Sequence, residues 1–384
     1  MPIGTVKKPG SYPSTGGGSY MLKQTDQFHG SDLEKVEEMY GIRREDIHPF
    51  ASNVNPFGLS EQVKAALAEH MDVISDYPDR EYKELKEAIH TYTGVDTEYI
   101  LPGSGVTELI VTFIHTIKPK KTIVIEPTYS EYKRDLKEVK SEILDHVLQE
   151  KDDFQLNVDD LITKIDDSID MVILCNPNNP TSTCISLERL KALTEHCKKT
   201  STFLLVDETY IEFIRKPETL SALSLVKDYN NLLVLRGVSK FFAAPGLRLG
   251  YGCTSNTKLL HYINKHSNPW SINSIAAYAG PLLFKDTDYI NKTRDQIALE
   301  QNLVCSALRL HKTLKVFPPA TNFVLVKLLD KNMTADQVFE HCIKKGLMIR
   351  DCSNFMGLSN KYIRFCFLSP EEDDLLVNTL LEIL

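Results

Sequence analysis

Short apolar runs alternate with helical patterns from about residue 60 of the chain onward. A helix is predicted over Ser186–Lys199, where apolar residues recur every three to four positions and Ser186 is a suitable N-cap. Fully apolar strands separated by helices are typical of a mostly parallel sheet that helices cover on both faces. We therefore expect an α/β fold. The predicted strands are Thr122–Glu126, Met171–Cys175, Phe203–Val206, Leu232–Leu235 and Leu247–Tyr251.

The alternation of apolar strands and helices changes after about residue 285, and the new order of elements predicts a smaller C-terminal α+β domain. Its predicted elements are a charged helix over about Tyr289–Leu310, a strand over Asn322–Lys327, a helix over Thr334–Lys345 and a strand over Tyr362–Phe367. Gly- and Ser-rich sequence at the N-terminus predicts a flexible tail. The expected division is a tail over 1–27, a segment over 28–48 that packs with the small domain, a large domain over 49–285 and a small domain over 286–384.

The charge balance excludes some classes of partner. The 384 residues carry a net charge of −8, which argues against non-specific binding of nucleic acid or of an anionic membrane surface. No apolar run approaches the ~18–20 residues that a membrane span needs. The eight cysteines form no Cys-x-x-Cys pair, so we expect reduced thiols in a cytoplasmic protein and no metal site. Any site for an anionic ligand must be a local concentration of positive charge.

Unusual polar residues stand at the ends of four predicted strands. They are Glu126–Tyr129, Asn176–Thr181, Asp207–Tyr210 and the pair Ser239-Lys240. In open α/β sheets, ligands bind in the crevice at the carboxyl ends of the strands. We therefore expect these side chains to surround one site.

Lys240 and Arg248 suggest what that site binds. A lysine amine forms a Schiff base with an aldehyde, and a guanidinium eight residues further on can hold a phosphate. Pyridoxal phosphate is an aldehyde that carries a phosphate, and Asp207, after a buried strand, would keep its pyridine nitrogen protonated. Taken alone, a loop lysine is more often a surface residue, and an aspartate after a strand is often a helix N-cap.

Further residues fit the same cofactor. The turn Gly103–Glu108 precedes an apolar helix predicted over Leu109–Ile117, and backbone N–H groups at such a turn can cradle a phosphate. The residues that we expect at the phosphate are Gly105, Val106, Thr107, Ser239 and Arg248. Asn179 and Tyr210 can hydrogen-bond the phenolic oxygen of the cofactor, and Tyr129 offers a flat face for the pyridine ring. Read alone, Asn178–Thr181 is a turn.

As an ordered set, these motifs resemble the class I and II aminotransferases of pyridoxal phosphate fold type I, from about residue 28 to the C-terminus. The resemblance implies catalytic roles for Lys240, Asp207 and Tyr210. It also covers Tyr77, in the string Asp-Tyr-Pro-Asp, because the matching tyrosine of the family reaches the cofactor phosphate of the neighbouring subunit. This implies a homodimer with shared active sites.

Other strings are similar to the branch of histidinol-phosphate aminotransferases and L-threonine-O-3-phosphate decarboxylases. The similarity implies that Arg364 binds the substrate α-carboxylate, that Arg350 binds a distal phosphate, and that Asn55 and His29 also contact substrate. The chain departs from the decarboxylase pattern in having Ser31 for a second glycine and Met356 for an arginine, and Ser182 stands where a glycine is usual.

We therefore predict a pyridoxal phosphate-dependent aminotransferase that acts on a small amino acid carrying a phosphate or phosphonate group. The alternative is a decarboxylase of an O-phospho amino acid or of phosphonoalanine, because breaking a different bond at Cα gives that reaction. A non-catalytic regulatory module with the same fold is a third possibility. Retention of Lys240, Asp207 and Arg248 argues against it.

Overall fold

The computed structural model describes residues 32–383. The predicted tail over 1–27 and the candidate substrate residue His29 lie outside the described residues. Among residues 32–383, no helix combines the length and the apolar character that crossing a bilayer requires.

A seven-stranded mixed sheet forms the centre of the larger part of the molecule, with the strand order β1-β7-β6-β5-β4-β2-β3. Strand β7 runs antiparallel to both of its neighbours, whereas β2 to β6 are parallel. The strands are β1 (Ile100–Gly103), β2 (Lys121–Glu126), β3 (Glu142–Val147), β4 (Met171–Cys175), β5 (Phe203–Asp207), β6 (Leu232–Gly237) and β7 (Gly250–Cys253). The predicted mostly parallel sheet is confirmed.

Both faces of this sheet are buried. Along β5, Leu204 and Val206 belong to one apolar cluster, and Leu205 between them belongs to another. Alternate residues of a strand point to opposite faces, so the two clusters are the two sides of the sheet. Helices cover both sides, which explains why the strands read as uninterrupted apolar runs.

A smaller antiparallel sheet of four strands has the order β10-β11-β9-β8. Its strands are β8 (Leu314–Val316), β9 (Phe323–Leu328), β10 (Arg350–Asp351) and β11 (Tyr362–Cys366). The N-terminal part of the described chain contacts this region, since His48 pairs with Leu347 and the Tyr40 hydroxyl lies 2.5 Å from Glu340 Oε1. The exact domain boundaries stay a prediction.

The helices flank the two sheets. They are α1 (Leu33–Tyr40), α2 (Glu61–Glu69), α3 (Lys83–Thr93), α4 (Val106–Ile117), α5 (Glu131–Glu138), α6 (Val158–Ile162), α7 (Leu187–Lys199), α8 (Thr257–His266), α9 (Ser274–Lys285), α10 (Thr287–Arg309), α11 (Ala335–Ile343) and α12 (Pro370–Leu381). The Ser186 side chain accepts a hydrogen bond from the Arg189 amide at the start of α7. The predicted helix and its cap are therefore confirmed.

One predicted strand is displaced. The sequence predicts a strand from Leu247, but β7 begins at Gly250. Pro245–Leu247 forms a short 3-10 turn and Arg248 adopts the left-handed conformation, with φ at 55°. A residue in the left-handed conformation interrupts an extended strand, so the apolar residues before Gly250 belong to a turn.

Candidate active site

A cavity of about 570 Å³ opens at the carboxyl ends of the central strands, between the two sheets. Seven cationic side chains and three acidic ones line it, which gives the local positive charge expected in a chain of net charge −8. These are Lys133, Arg134, Lys137, Lys240, Arg248, Arg350 and Arg364, with Glu126, Glu138 and Asp207. The balance favours an anionic ligand.

Lys240 lies on the wall of this cavity, in the loop after β6. Its Nζ donates a hydrogen bond of 2.6 Å to the Ser52 carbonyl. Removal from water, and secondly the positive charge of Arg364, lower the pKa of Lys240 to about 8. An amine with that pKa is substantially neutral in weakly alkaline solution, as a nucleophile toward an aldehyde must be.

Asp207 is the last residue of β5 and is buried. Its Oδ1 accepts hydrogen bonds from the amide (2.9 Å) and hydroxyl (2.6 Å) of Thr209, so the carboxylate belongs to a tight turn and caps no helix. Its Oδ2 accepts a 2.6 Å hydrogen bond from the hydroxyl of Tyr132, on α5. Burial raises the pKa of Asp207. The carboxylate is thus held by three donors at the edge of the cavity.

Asn179 and Tyr210 also line the cavity. The Asn179 side-chain oxygen accepts a hydrogen bond from Arg364 Nη1. The Tyr210 hydroxyl lies 3.4 Å from the side-chain nitrogen Nδ2 of Asn53, and burial raises the pKa of Tyr210. Tyr129 stands beside them, half-buried, with its ring edge-to-face against Tyr132 at 5.6 Å. These polar groups converge on one volume, as the strand-end argument predicts.

A glycine turn and the Arg248 guanidinium meet where α4 begins. Gly105 is the N-cap residue at φ 88°, and a β-carbon on it would lie 2.6 Å from Arg248 Nη2. The exposed Arg248 guanidinium is held by the carbonyls of Pro245 (3.2 Å) and Ser104 (3.4 Å). Val106 and Thr107 line the cavity next to it, as does Ser239. First-turn N–H groups of a helix together with a guanidinium fit a phosphate, so this part of the site suits pyridoxal phosphate.

Arg364 is buried on β11 and reaches the cavity from the small sheet. Its Nη2 donates to the Ala51 carbonyl at 2.7 Å, and its guanidinium lies 5.5 Å from the centre of the Phe323 ring. Within residues 32–383, its buried Nε has no hydrogen-bond partner. A buried guanidinium with an unused donor suits a carboxylate ligand, since a buried donor without a partner is costly.

Arg350 pairs with Arg364 in the β10–β11 register. Its Nη2 lies 3.2 Å from Asn354 Oδ1, and its guanidinium lies 5.4 Å from the Phe355 ring centre. Burial lowers the pKa of Arg350. The two arginines therefore present positive charge to adjacent parts of one cavity.

Three predicted residues of the described chain, Gly105, Asn55 and Tyr77, are not among the residues that line the cavity. The side-chain nitrogen of Asn55 donates to the Phe241 carbonyl (2.8 Å) and lies 2.9 Å from the Tyr289 hydroxyl, and contact between Asn55 and substrate stays a prediction. Asn55 also supports the lysine loop, since its backbone N–H donates to the Lys240 carbonyl at 3.0 Å. Tyr77 is 80% exposed and packs on Trp270 at 4.7 Å.

Sequence reasoning missed Lys133 at the mouth of the cavity. Its Nζ lies 2.7 Å from Glu126 and from Asp145, and 3.8 Å from Sδ of Met356. A lysine at the third position of α5 gives no local signal, because its partners come from β2, β3 and the loop after β10. Met356 therefore adds an apolar group at the mouth, beside a charged triad.

Comparisons with known proteins agree with this geometry. The family described as "Aminotransferase class I and II" matches residues 45–380. The chain is 39% identical to a putative threonine-phosphate decarboxylase of Caldanaerobacter subterraneus over 86% of this chain and 88% of that protein. It is 31% identical to the threonine-phosphate decarboxylase of Salmonella typhimurium over 93% and 96%. The crystal structure of histidinol-phosphate aminotransferase from Clostridium acetobutylicum has a TM-score of 0.81 at 30% identity, covering 87% of this chain and 98% of that one.

Gly105→Ala is expected to weaken binding of pyridoxal phosphate by about tenfold, because the new methyl group would displace Arg248. Titration of the apoenzyme with the cofactor, followed by absorbance, measures this. Gly94→Ala is the matched control, since Gly94 also has a positive φ (75°) but opens onto free space. Equal losses in both variants would contradict a phosphate site at Gly105.

The rate at which the apoenzyme captures pyridoxal phosphate is expected to rise as the pH increases through about 8, the pKa of Lys240. Only the unprotonated amine attacks an aldehyde, so the rate follows the neutral fraction. Arg364→Met should move the midpoint to higher pH because it removes a neighbouring positive charge. Stopped-flow absorbance gives both profiles, and a midpoint near the ordinary lysine value of about 10.4 would contradict the assignment.

Proposed function

The chain belongs to the class I and II aminotransferase family, whose enzymes depend on pyridoxal phosphate, and we propose that it transfers the amino group of a small amino acid carrying a phosphate or phosphonate. When bound, the cofactor supplies a ring that accepts electrons from the substrate Cα. Lys240 would hold its aldehyde carbon, Asp207 its ring nitrogen, and Arg248 with the start of α4 its phosphate.

Lys240 has the properties of the group that moves the proton. Its Nζ is fixed by the Ser52 carbonyl, and its lowered pKa of about 8 lets the neutral amine accept a proton from the substrate Cα. A general base works best when its pKa is close to the working pH. The positive neighbour Arg364 contributes to this pKa, so the residue that binds substrate also adjusts the base.

The observation that carries the proposal is the placement of Arg364 in the same cavity as Lys240. Ala51 and Asn179 anchor its guanidinium, and among residues 32–383 its buried Nε has no hydrogen-bond partner. Loss of CO₂ would break an ion pair between Arg364 and the substrate carboxylate, whereas removal of the Cα proton keeps it. A firmly held carboxylate therefore favours amino transfer.

Arg350 supports a second anionic group on the substrate. It lies on the strand next to Arg364, and the cavity lining carries a positive excess. The similar proteins are named for threonine phosphate and histidinol phosphate, both of which carry a phosphate. We therefore assign Arg350 to the distal phosphate or phosphonate.

Decarboxylation is the second candidate reaction. The two similar proteins with 39% and 31% identity are named threonine-phosphate decarboxylases, or putatively so. Against it stands Met356, which lines the cavity where the resemblance to the decarboxylases implies an arginine. The two reactions differ in the bond that breaks at Cα, so their products distinguish them.

A homodimer with shared sites is part of the proposal. Tyr77 is exposed, packs on Trp270 and lies outside the cavity of its own chain, as expected of a side chain that serves a neighbouring subunit. We also propose that the protein works in the cytoplasm, which its eight unpaired thiols support.

Product analysis by mass spectrometry tests the proposed reaction. The cofactor-loaded enzyme is incubated with O-phosphothreonine, O-phosphoserine, phosphonoalanine or histidinol phosphate, each with and without 2-oxoglutarate. We expect glutamate and the matching carbonyl product only when 2-oxoglutarate is present. Loss of CO₂ that does not depend on 2-oxoglutarate would replace amino transfer by decarboxylation.

Arg350→Ala is expected to raise KM for O-phosphoserine by roughly thirtyfold or more, because truncating one member of a buried charge pair costs about 2 kcal/mol or more. Serine is the matched control substrate, since it lacks only the phosphate, and its KM should change less than threefold. Steady-state kinetics with both substrates measures the difference. Equal increases would show that Arg350 does not bind the phosphate.

A further inference from the structure

Ser182 has an unusual backbone and an unusual set of contacts. It lies in the loop after β4, is completely buried and adopts the left-handed conformation, with φ at 58°. Side chains rarely adopt this conformation, and glycine does so freely. A buried serine at such a position therefore calls for a contact that glycine could not make.

The hydroxyl of Ser182 makes that contact with the turn that leads into β9. Its Oγ lies 2.8 Å from Thr321 Oγ1 and accepts hydrogen bonds from the amides of Ala320 (3.1 Å) and Thr321 (3.0 Å). The Ser182 carbonyl also accepts from the Ala320 amide, at 2.9 Å. One residue of the large-sheet loop thus holds the turn that leads into β9.

That turn continues directly into residues that contact the lining of the cavity. Asn322 donates from its side chain to the Asn53 carbonyl at 3.0 Å. The ring of the next residue, Phe323, lies 5.0 Å from the Tyr210 ring and 5.5 Å from the Arg364 guanidinium. A shift of the turn would therefore move the surroundings of two candidate site residues.

The other end of the same loop reaches Arg364 directly. The Ser182 amide donates to the Asn178 carbonyl at 2.8 Å, and the neighbouring Asn179 accepts from Arg364 Nη1. The loop over 178–182 is thus joined at two points, to Arg364 of the small sheet and to Thr321 in the turn before β9. Two separate attachments fix both the position and the orientation of one element against another.

We propose that Ser182 is a positioning residue for substrate binding. Its hydrogen bonds fix the turn before β9, which keeps Arg364 in the position that binds the substrate carboxylate. This inference rests on the proposed function, because it assumes that Arg364 takes that carboxylate. Ser182 does not touch the ligand and acts through Thr321, Asn322 and Phe323. A preorganised guanidinium loses less freedom when the ligand arrives.

Ser182→Gly and Ser182→Ala test the proposal, with Ser201→Gly as the matched control. Ser201 has the same φ of 58° but is exposed in the turn after α7, so glycine relieves the same backbone there without removing the contact. Thr321→Val removes the partner hydroxyl and should reproduce the effect, whereas Thr321→Ser keeps it and should not.

The first readout is hydrogen–deuterium exchange of the cofactor-loaded enzyme over peptides covering 320–326 and 361–366. We expect faster exchange in both Ser182 variants and in Thr321→Val, and wild-type exchange in Ser201→Gly. The second is calorimetric binding of 3-phosphonopropionate, which has the two anionic groups and no amine. Its Kd should weaken about tenfold in Ser182→Gly while cofactor affinity stays within twofold.

The outcomes separate this proposal from the proposed function. If hydrogen–deuterium exchange in Ser182→Gly equals that in Ser201→Gly, Ser182 does not hold the turn before β9, and the proposal is wrong. If exchange rises while the Kd of a well-bound probe is unchanged, Ser182 is structural and the positioning role is overturned. If the wild-type enzyme fails to bind 3-phosphonopropionate, the proposed substrate class fails, and exchange over 361–366 still decides whether Ser182 holds the Arg364 strand.

Discussion

The arrangement of the site depends on two cations, Lys240 and Arg364, that are held together in a partly dehydrated cavity. Burial disfavours the charge of an amine, and the nearby guanidinium disfavours it further, so the pKa of Lys240 falls to about 8. Carbonyl and amide oxygens of Ser52, Ala51 and Asn179 hold the two groups in place. Burial first, and the positive charge of Arg364 second, thus favour the neutral amine of Lys240, while Arg364 supplies positive charge for the anionic groups of a substrate.

Lys240 and Arg364 reach the same cavity from different sheets. The carboxyl ends of parallel strands meet at one edge, so β5 and β6 deliver Asp207 and Lys240 side by side. Arg364 comes from an antiparallel strand of the other sheet, where β9 supports it with Phe323. Asp207 and Lys240 thus come from the parallel strands of the large sheet, whereas Arg350 and Arg364 lie on the smaller sheet.

The sequence predicts the central strands and the residues that follow them, because apolar runs and strand-end polar residues are local signals. It does not reveal Tyr132 or Lys133, whose partners Asp207 and Asp145 are brought to them only by tertiary packing. Asn55 stays a prediction, since the residue of its motif that lines the cavity is Asn53, two positions earlier. Ser182 reads as a simple departure from a glycine, and its hydrogen bonds to the turn before β9 explain why a side chain is present there.

The most direct test of the central claim is to identify the lysine that carries the cofactor. Borohydride reduction of the cofactor-loaded protein fixes pyridoxal phosphate to the amine that holds it, and peptide mapping by mass spectrometry locates the modified residue. The modification is predicted on Lys240 alone, in the peptide that follows β6. A modification on another lysine, or the absence of any reducible lysine, would contradict the assignment of this cavity as the active site.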